Sequence, residues 1–413
     1  MAAVPLPSEK GPNLLWRALQ RTEVGMLLAI VVVLVLTATI DSQHNYWNNP
    51  KDSAVEIIRQ TSMLGIFALG AGIVIIVGGI DLSTGSVIAF SGSVCATFML
   101  LLAPDEMRFN KPVGLTTISL AIAGTLLTGF LIGTLHTWLI TIVELPPFVA
   151  TLATLVGLRS LARALVGHVN QGSSQIPIFD KQFRYLATSV WIPATVFLLL
   201  AFLTWLLMSR SVVGRHLYAL GGNEAAAKLS GVRTDRLKWL AYCMGAVLSS
   251  IAGIFYAGAV GTASPETMGK GYELNAIAAA VVGGCSLKGG VGTIPGTVLG
   301  TLFLQIVIDG VAKIIKVTAD IYEGLIVGGV VVVAVAFTQL RQAARQGKRF
   351  FPGWLGITAI VTLALLAGVL AMLFVEKTTG GGNKIGGIVA VAALVLLGTA
   401  WLLESRRDKR AGS

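Results

Sequence analysis

The chain has 413 residues, of which 54% are hydrophobic and only 12% are charged, and its mean hydropathy is +0.79. Soluble domains carry about 25% charged residues, so this composition excludes an ordinary globular protein and indicates an all-α integral membrane fold. The net charge of +11 does not require a nucleic-acid partner, because no basic stretch is interleaved with aromatic residues. Three cysteines without paired spacing predict neither a disulfide framework nor a zinc site.

Apolar windows along the chain predict about ten transmembrane helices in a core and two more after residue 350. A bilayer interior of roughly 30 Å requires about 20 apolar residues per helix. The first window starts at Val24 and is long enough to span, so we interpret it as an uncleaved helix rather than a signal peptide. The predicted spans are 24–40, 61–78, 84–102, 113–135, 148–166, 190–208, 239–260, a short 272–283, 291–308, 321–339, 355–375 and 386–403.

The distribution of Lys and Arg predicts the orientation. Of the 31 basic residues, 17 lie in four short blocks, at 1–23, 209–238, 341–349 and 404–410. The positive-inside rule places such blocks in the cytoplasm, so both termini are expected on the cytoplasmic side of the membrane. The resulting segments are an N-terminal segment 1–23, a core 24–340, a basic linker 341–354, an additional transmembrane hairpin 355–403 and a basic tail 404–413.

A short internal repeat marks two matching places in the core. The sequence "VGGIDLSTG" at 77–85 returns as "VGGCSLKGG" at 282–290. Gly-interrupted segments in corresponding positions of two halves are typical of a transport pathway built around a pseudo-twofold axis. Chance is the alternative in so glycine-rich a chain, and the pattern leaves a parallel or inverted sense open. The candidate pathway residues are Gly78, Gly79, Asp81, Ser83, Gly283, Gly284 and Ser286.

Asp81 is an acid at the end of an apolar run. An intramembrane carboxylate is by default a functional group that needs a partner. The alternative is a helix cap, because Gly78-Gly79 breaks the helix and Asp81 or Ser83 can cap the next one, which begins near Thr84. The second copy of the repeat has Ser286 in the corresponding sequence position. Both copies therefore contain the Gly-Gly break, but only the first contains a charged residue at this position. We therefore favour the cap over direct substrate contact.

The segment 209–238 is the one long, charged loop inside the core. Gly221-Gly222 breaks the chain, Asn223 is a suitable N-cap, and Gly231 stops the helix that follows. This helix of about two turns is too short to be stable alone, so it must dock against something; an ordinary connecting loop is the alternative. Glu224 could pair with Lys228 on the helix surface, but we favour a contact with a partner. The candidate docking residues are Asn223, Glu224, Ala225, Ala226, Lys228 and Gly231.

Four stretches carry a family resemblance. "GGNEAAAKLSGV" resembles the cytoplasmic coupling motif of sugar-type ABC importer permeases, the ribose, xylose, galactose and arabinose family, which is related to branched-chain amino-acid permeases. "GGIDLSTGS", "LPPFVATLATL" at 145–155 and "GYELNAIAAAVVGGCSLKGGVGTIPGTVLG" at 271–300 resemble further signatures of that family, in the same order. The resemblance covers roughly residues 24–340.

The resemblance implies a ten-helix permease subunit that lies in the lipid of a bacterial inner membrane and pairs there with a second copy. It implies cytoplasmic ATP-binding subunits at the 223–231 helix and a sugar delivered by a periplasmic or lipid-anchored binding protein. No GxxxxGK[ST] occurs in the chain, which agrees with a subunit that holds no nucleotide or other cofactor itself. A permease for branched-chain amino acids or nucleosides is the alternative. An ion-coupled secondary transporter is less favoured, since it would need more intramembrane carboxylates than Asp81.

The chain also departs from the family pattern. Asn275 stands where the family usually has Asp, Cys285 where it has Thr, and Lys288 where it has a small residue. The two C-terminal spans have no counterpart in familiar members.

Other polar residues near the membrane have open assignments. Arg159 and Arg163 share one helix face and must reach a carboxylate, backbone carbonyl groups or the membrane interface. His136 and His168 lie at span ends and are expected to be interfacial. Several aromatic residues near span ends suggest an interfacial belt, namely Trp138, Trp191, Trp205, Trp239, Tyr218 and Tyr256.

Overall fold

The computed structural model describes residues 22–41, 44–315, 353–379 and 382–411, with isolated positions between 324 and 351. The predicted span at 321–339 and the basic linker at 341–354 lie largely outside these residues. Contacts divide the chain into two units, of which the first extends to Gly310 and the second contains the last two helices.

Helices account for most of the described chain, and two short strands pair antiparallel with Ile176 opposite Ala263. In chain order the elements are α1 (Thr22–Ile40), α2 (Asn45–Asn48), α3 (Pro50–Ile76), α4 (Thr84–Leu102), α5 (Pro104–Arg108), α6 (Leu115–Thr141), α7 (Pro147–Val169), β1 (Ile176–Pro177), α8 (Lys181–Thr188), α9 (Trp191–Arg210), α10 (Val212–Gly222), α11 (Glu224–Leu229), α12 (Thr234–Val260), β2 (Thr262–Ala263), α13 (Tyr272–Val282), α14 (Ile294–Ile315), α15 (Gly353–Thr379) and α16 (Gly382–Ala411).

Eight of the described helices are long and apolar enough to cross a membrane: α1, α3, α4, α6, α7, α9, α12 and α14. Shorter apolar stretches also lie at predicted positions: the whole of α13, Gly353–Val369 within α15 and Lys384–Thr399 within α16. The all-α membrane fold is therefore confirmed. The largest boundary difference is at α3, which begins at Pro50 rather than residue 61. The first turns of α3 are polar, so a search for apolar windows does not detect them. They are helical nonetheless, and an ion pair of 2.6 Å joins Arg59 to Glu56 on the helix surface.

Three helices form the centre of the first unit. The apolar windows of α3, α4 and α12 are 83%, 78% and 67% buried, whereas those of α6, α7 and α9 are 33% buried. Glycines let the central helices approach closely, since a Cβ on Gly70 would lie 2.9 Å from the Cα of Gly245. Small residues at such crossings are typical of helix packing in membranes, where backbones gain van der Waals contact.

The second unit contains the two C-terminal helices, α15 and α16, packed antiparallel through small residues. A Cβ on Gly368 would lie 2.7 Å from that of Ala390, and a Cβ on Gly386 would lie 2.7 Å from that of Met372. The two helices predicted after residue 350 are thus present as a hairpin.

Candidate functional site

The first break in the repeat ends α3. The Gly78 N–H donates to the Ile75 carbonyl group and the Gly79 N–H to that of Val74, both at 2.9 Å. This pair of bonds is a Schellman motif, which requires a left-handed residue after the helix. Gly78 supplies it with φ 88°. The chain then turns back and starts α4 at Thr84.

The second break ends α13 with the same motif. The Gly284 N–H donates to Val281 and the Cys285 N–H to Ala280, both at 2.9 Å, and Gly284 has φ 98°. Gly284 therefore plays the part of Gly78, one residue later than the sequence repeat places it. In this register Asp81 corresponds to Leu287, so the expected equivalence of Asp81 with Ser286 is wrong by one residue.

The two broken helices run in the same direction. The Phe67 and Tyr272 rings stack with centroids 5.7 Å apart. Further along, a Cβ on Gly72 would lie 3.9 Å from that of Ala280, so the residue numbers rise together along α3 and α13. Both breaks consequently face the same end of the bundle, which we call the loop face because it also carries residues 211–233.

Asp81 shapes the turn between α3 and α4. Its Oδ1 accepts from the Ser83 N–H at 2.8 Å and from the Ser83 hydroxyl group at 2.6 Å. Ser83 holds the N-cap position of α4, but its side chain makes no capping bond. The predicted cap is therefore wrong. The Asp81 carboxylate accepts from Ser83, the residue before α4, and not from the free N–H groups in the first turn of α4. Asp81 is 4% exposed and Ser83 is fully buried.

A buried histidine and a buried tyrosine lie near Asp81. His136 is fully buried, and its Nε2 lies 2.8 Å from the Thr154 hydroxyl oxygen. Tyr242 is 1% exposed, and both side chains interact electrostatically with Asp81. The interfacial assignment of His136 is wrong, whereas the exposed His168 agrees with it.

The loop helix α11 is defined at both ends. Asn223 caps it, since its side-chain oxygen accepts from the Ala226 N–H at 3.0 Å. At the other end, the Gly231 N–H donates to Lys228 and the Val232 N–H to Ala227, both at 3.1 Å, which is again a Schellman motif. The helix has six residues, Glu224–Leu229, which at 3.6 residues per turn agrees with the helix of about two turns expected.

Two side chains of α11 face different surroundings. Glu224 forms an ion pair at 2.6 Å with Lys238 of α12, rather than with Lys228. Because the Glu224 side chain is 49% exposed, the pair contributes at most about 1 kcal/mol, and its main effect is to hold α11 against α12. The Leu229 side chain is 91% exposed, which is an unusually large exposed fraction for a large apolar residue.

Backbone segments from three parts of the chain meet where α10 ends. We call this contact the glycine junction, formed by Gly78, Gly221, Gly289 and Gly290. The Gly290 N–H donates to the Ile76 carbonyl group at 2.8 Å. A Cβ on Gly289 would lie 2.6 Å from the Gly221 oxygen and 2.8 Å from the Gly78 Cα.

The junction has no space for a side chain at Gly221. A Cβ on Gly221 would overlap the Ile76 carbonyl oxygen and lie 2.7 Å from the Gly290 nitrogen. Beside it, the Tyr218 hydroxyl group of α10 donates to the Gly292 carbonyl group at 2.9 Å. Close-packed backbone deforms little. The junction therefore links α10 directly to the first break, and to the second break through the loop at Gly289 and Gly290.

Arg159 stabilises the segment that leads into α13. Its Nη1 donates to the carbonyl groups of Pro265 at 2.9 Å and Met268 at 3.0 Å, and its Nη2 to that of Gly269 at 3.2 Å. Of the three assignments left open, backbone carbonyl groups are therefore the correct one for Arg159. Arg163 is exposed.

The residues that depart from the family pattern lie on α13 and in the loop after it. Asn275 is 7% exposed and Cys285 is 3% exposed, with the Cys285 sulfur 3.5 Å from the Thr297 hydroxyl oxygen. Lys288 is exposed. Within the described ranges no group of three or more His, Cys, Asp or Glu side chains could hold a metal ion.

The structure joins two predictions that the sequence left separate. The loop predicted at 209–238 and the repeat at 77–85 and 282–290 meet at one place. Sequence reasoning missed the contributions of Gly289 and Gly290, of Tyr218 and of Lys238. The doubled glycines at 221–222 and 289–290 were the available signal, because paired glycines often mark a close backbone approach.

Two broken membrane helices connected to a short helix on the loop face define a membrane transport subunit. Gly-interrupted helices in matching positions are typical of such proteins. Comparison with known proteins gives the family.

Residues 53–336 match the family described as the permease component of branched-chain amino acid transport systems. Ribose import permease protein RbsC of Escherichia coli (strain K12) is 32% identical over 334 residues, covering 79% of this chain and 95% of the relative. RbsC of Bacillus subtilis (strain 168) is 31% identical over 320 residues, covering 77% and 92%. Autoinducer 2 import system permease protein LsrC of Yersinia pestis (strain Pestoides F) is 35% identical over 318 residues, covering 74% and 82%. No solved structure matches the chain.

The chain therefore belongs to this family of transport permeases and is a multi-pass membrane protein. The resemblance stated from the four sequence motifs is confirmed. The match begins at residue 53 and ends at residue 336, so the helices α15 and α16 lie beyond it.

Proposed function

We propose that the chain is the membrane-spanning permease subunit of an ATP-driven importer for a monosaccharide or a related small polyol. The observation that carries the proposal is the glycine junction, where α10, which precedes α11, contacts the end of one broken helix and the loop that follows the other. Relatives named for the import of ribose and autoinducer 2 support a sugar-like substrate. The family description also covers branched-chain amino acids, which makes an amino-acid permease the second candidate.

The proposed partners follow from this role. A second copy of the permease completes the path, separate ATP-binding subunits dock on the loop face, and a periplasmic or lipid-anchored binding protein delivers the sugar on the opposite face. The basic blocks support a cytoplasmic position for the loop face and for both termini. In this arrangement residues 24–340 form the permease core and 355–403 an accessory hairpin.

The proposed mechanism uses α11 as the receiving element. Closure of the ATP-binding subunits presses on α11, where Leu229 is the exposed apolar anchor and Glu224 is held by Lys238. Apolar side chains at the centre of an interface contribute most when a partner buries them fully. The displacement passes through Gly221 to Ile76 and Gly290, and both breaks change between two packed arrangements.

The test compares two exposed apolar residues on the loop face. Leu229→Ser is expected to reduce ATP-driven ribose uptake about tenfold in proteoliposomes that contain the partner subunits. The change removes an apolar anchor that the partner would bury, which contributes roughly 1.4 kcal/mol or more. Ile142→Ser changes a residue that is 69% exposed and serves as the matched control, with uptake close to wild type.

Two results would contradict the proposal. Normal coupling in Leu229→Ser would remove α11 as the receiving element. Uptake of leucine without uptake of any monosaccharide would replace the sugar permease with the amino-acid permease.

A further inference from the structure

A depression of about 440 Å³ lies on the face opposite the loop face. Its position follows from α9, which runs from Trp191 on this side to Arg210 beside the loop. The lining residues come from the loop after α5 and from the region of α8, and they are Asn110, Phe179, Lys181, Arg184, Tyr185 and Thr188. Nothing in the mechanism proposed above uses this depression.

The depression carries two positive charges and lacks an acidic lining residue. Asp180 lies next to it, but its Oδ2 accepts from the Val113 N–H at 2.8 Å and its Oδ1 from the Phe183 N–H at 2.7 Å. These two hydrogen bonds join the loop before α6 to the first turn of α8. The Asp180 carboxylate therefore stabilises the wall of the depression. Within the described ranges neither Lys181 nor Arg184 belongs to an ion pair.

Arg184 is held in place while its charge stays available. A Cβ on Gly261 would lie 3.0 Å from the guanidinium carbon of Arg184, so the glycine leaves room for the arginine to lie across the backbone. The Arg184 Nε is buried and has no hydrogen-bond partner among the described residues. A guanidinium group with unused donors is well suited to oxyanions, above all phosphate.

The depression lies at the level of the membrane interface. Asn110 and Thr188 come within a few residues of Leu115 and Trp191, the first residues of two membrane helices, which are 69% and 74% exposed. Large exposed aromatic rings surround it, as is typical of the interfacial belt where lipid headgroups lie. The exposed fractions of these rings are 68% for Phe109, 51% for Phe179 and 63% for Tyr185.

We propose that this depression binds the phosphate headgroup of an anionic phospholipid of the outer leaflet. Lys181 and Arg184 would hold the phosphate group, Asn110, Tyr185 and Thr188 offer hydrogen bonds to its glycerol moiety, and Phe109 and Phe179 contact the start of the acyl chains. A volume of about 440 Å³ falls in the range of small-ligand pockets, roughly 300–1,000 Å³. The inference is independent of the transported substrate.

Native mass spectrometry of the purified full chain with phosphatidylglycerol tests the site. Each basic residue near a lipid surface contributes about 1 kcal/mol, which corresponds to a factor of about five in affinity. Lys181→Gln and Arg184→Gln are each expected to weaken binding about fivefold, and the double variant about thirtyfold. Lys270→Gln, which changes an exposed basic residue of the same face, is the matched control and should leave the affinity unchanged.

Further measurements separate the possible occupants. Phosphatidylcholine should bind more weakly than phosphatidylglycerol, and glycerol 3-phosphate or inorganic phosphate alone should not compete at equal concentration. Competition by either soluble anion would overturn the lipid assignment in favour of a free-anion site. Unchanged phosphatidylglycerol binding in the double variant would overturn it as well. If that variant instead lost stimulation of ATP hydrolysis by the binding protein, the depression would belong to an acidic protein partner.

Folding is controlled separately. The unfolding midpoint of each variant in lipid-free detergent should remain near that of the wild type. Because Lys181 is exposed, Lys181→Gln tests the proposal even if a change at Arg184 disturbs the fold. Arg184→Lys keeps the charge and should recover most of the affinity.

Discussion

Adjacent glycines at the end of α10 offer a matched pair of substitutions. A Cβ on Gly221 would overlap the Ile76 carbonyl oxygen and lie 2.7 Å from the Gly290 nitrogen, whereas a Cβ on Gly222 meets no atom within 4 Å. Both glycines lie in the last turn of the same helix. Gly221→Ala and Gly222→Ala therefore add the same methyl group to the same element, and only the first disturbs the glycine junction.

The magnitude follows from the contact that Gly221→Ala disrupts. The methyl group would separate the two segments joined by the 2.8 Å hydrogen bond from Gly290 to Ile76. Losing that bond costs about 1 kcal/mol, and overpacking costs about 1–3 kcal/mol. The gain in helix propensity from Gly to Ala, up to about 1 kcal/mol, offsets part of this. We expect a net destabilisation of about 2 kcal/mol for Gly221→Ala and a neutral or slightly stabilising effect for Gly222→Ala.

Two measurements on the same preparations test this expectation. Thermal unfolding in detergent reports stability, and sugar uptake per ATP hydrolysed in proteoliposomes reports coupling. Gly221→Ala should lower both, while Gly222→Ala should leave both near wild type. Equal behaviour of the two variants in both assays would refute the glycine junction as the contact that joins α11 to the breaks.

Three further predictions concern single side chains. Asp81→Asn keeps the acceptor for the Ser83 N–H, so its free energy of unfolding should stay within about 1 kcal/mol of wild type and uptake should be retained. Asp81→Ala loses both hydrogen bonds to Ser83 and should be destabilised by about 1–3 kcal/mol. Loss of uptake in Asp81→Asn would show that the charge itself is needed. Arg159→Ala should lower the unfolding midpoint and Arg159→Lys lower it less, because three carbonyl groups lose a charged donor; an unchanged midpoint in Arg159→Ala would contradict this. Burial raises the pKa of the Cys285 thiol, so maleimide at neutral pH should label this residue only after denaturation. Rapid labelling of the folded protein, measured by mass spectrometry, would contradict the buried position.

Membrane helices were predictable because their signal is local. Apolar length alone places α1, α4 and α13 almost to the residue. The polar first turns of α3 fall outside that signal, since an i,i+3 pair such as Glu56 and Arg59 stabilises a helix without raising its hydropathy. The helix α10 was missed for a similar reason, because a mixed sequence of 11 residues carries no span-length pattern.

The candidate site depends on contacts between distant residues, which a single sequence does not specify. Spacing predicts Lys228 as the partner of Glu224, because i,i+4 pairs share a helix face; the fold instead brings Lys238 within 2.6 Å. His136 is placed at an interface by its position near a span end, yet its partner Thr154 comes from α7 and buries it. The repeat could be recognised in the sequence. The structural alignment of its two copies, however, depends on which glycine of each pair adopts a positive φ, and these are Gly78 and Gly284.

The parallel course of α3 and α13 limits the ways in which the subunit can move. Had the two breaks faced opposite sides of the membrane, one could open while the other stayed closed, and a single element on the loop face would control only its own side. Here the end of α3, at Ile76, and the loop after the second break, at Gly290, both abut Gly221 of α10. In the proposed mechanism the two breaks therefore respond to the same helix, as two edges of one gate rather than two gates in series.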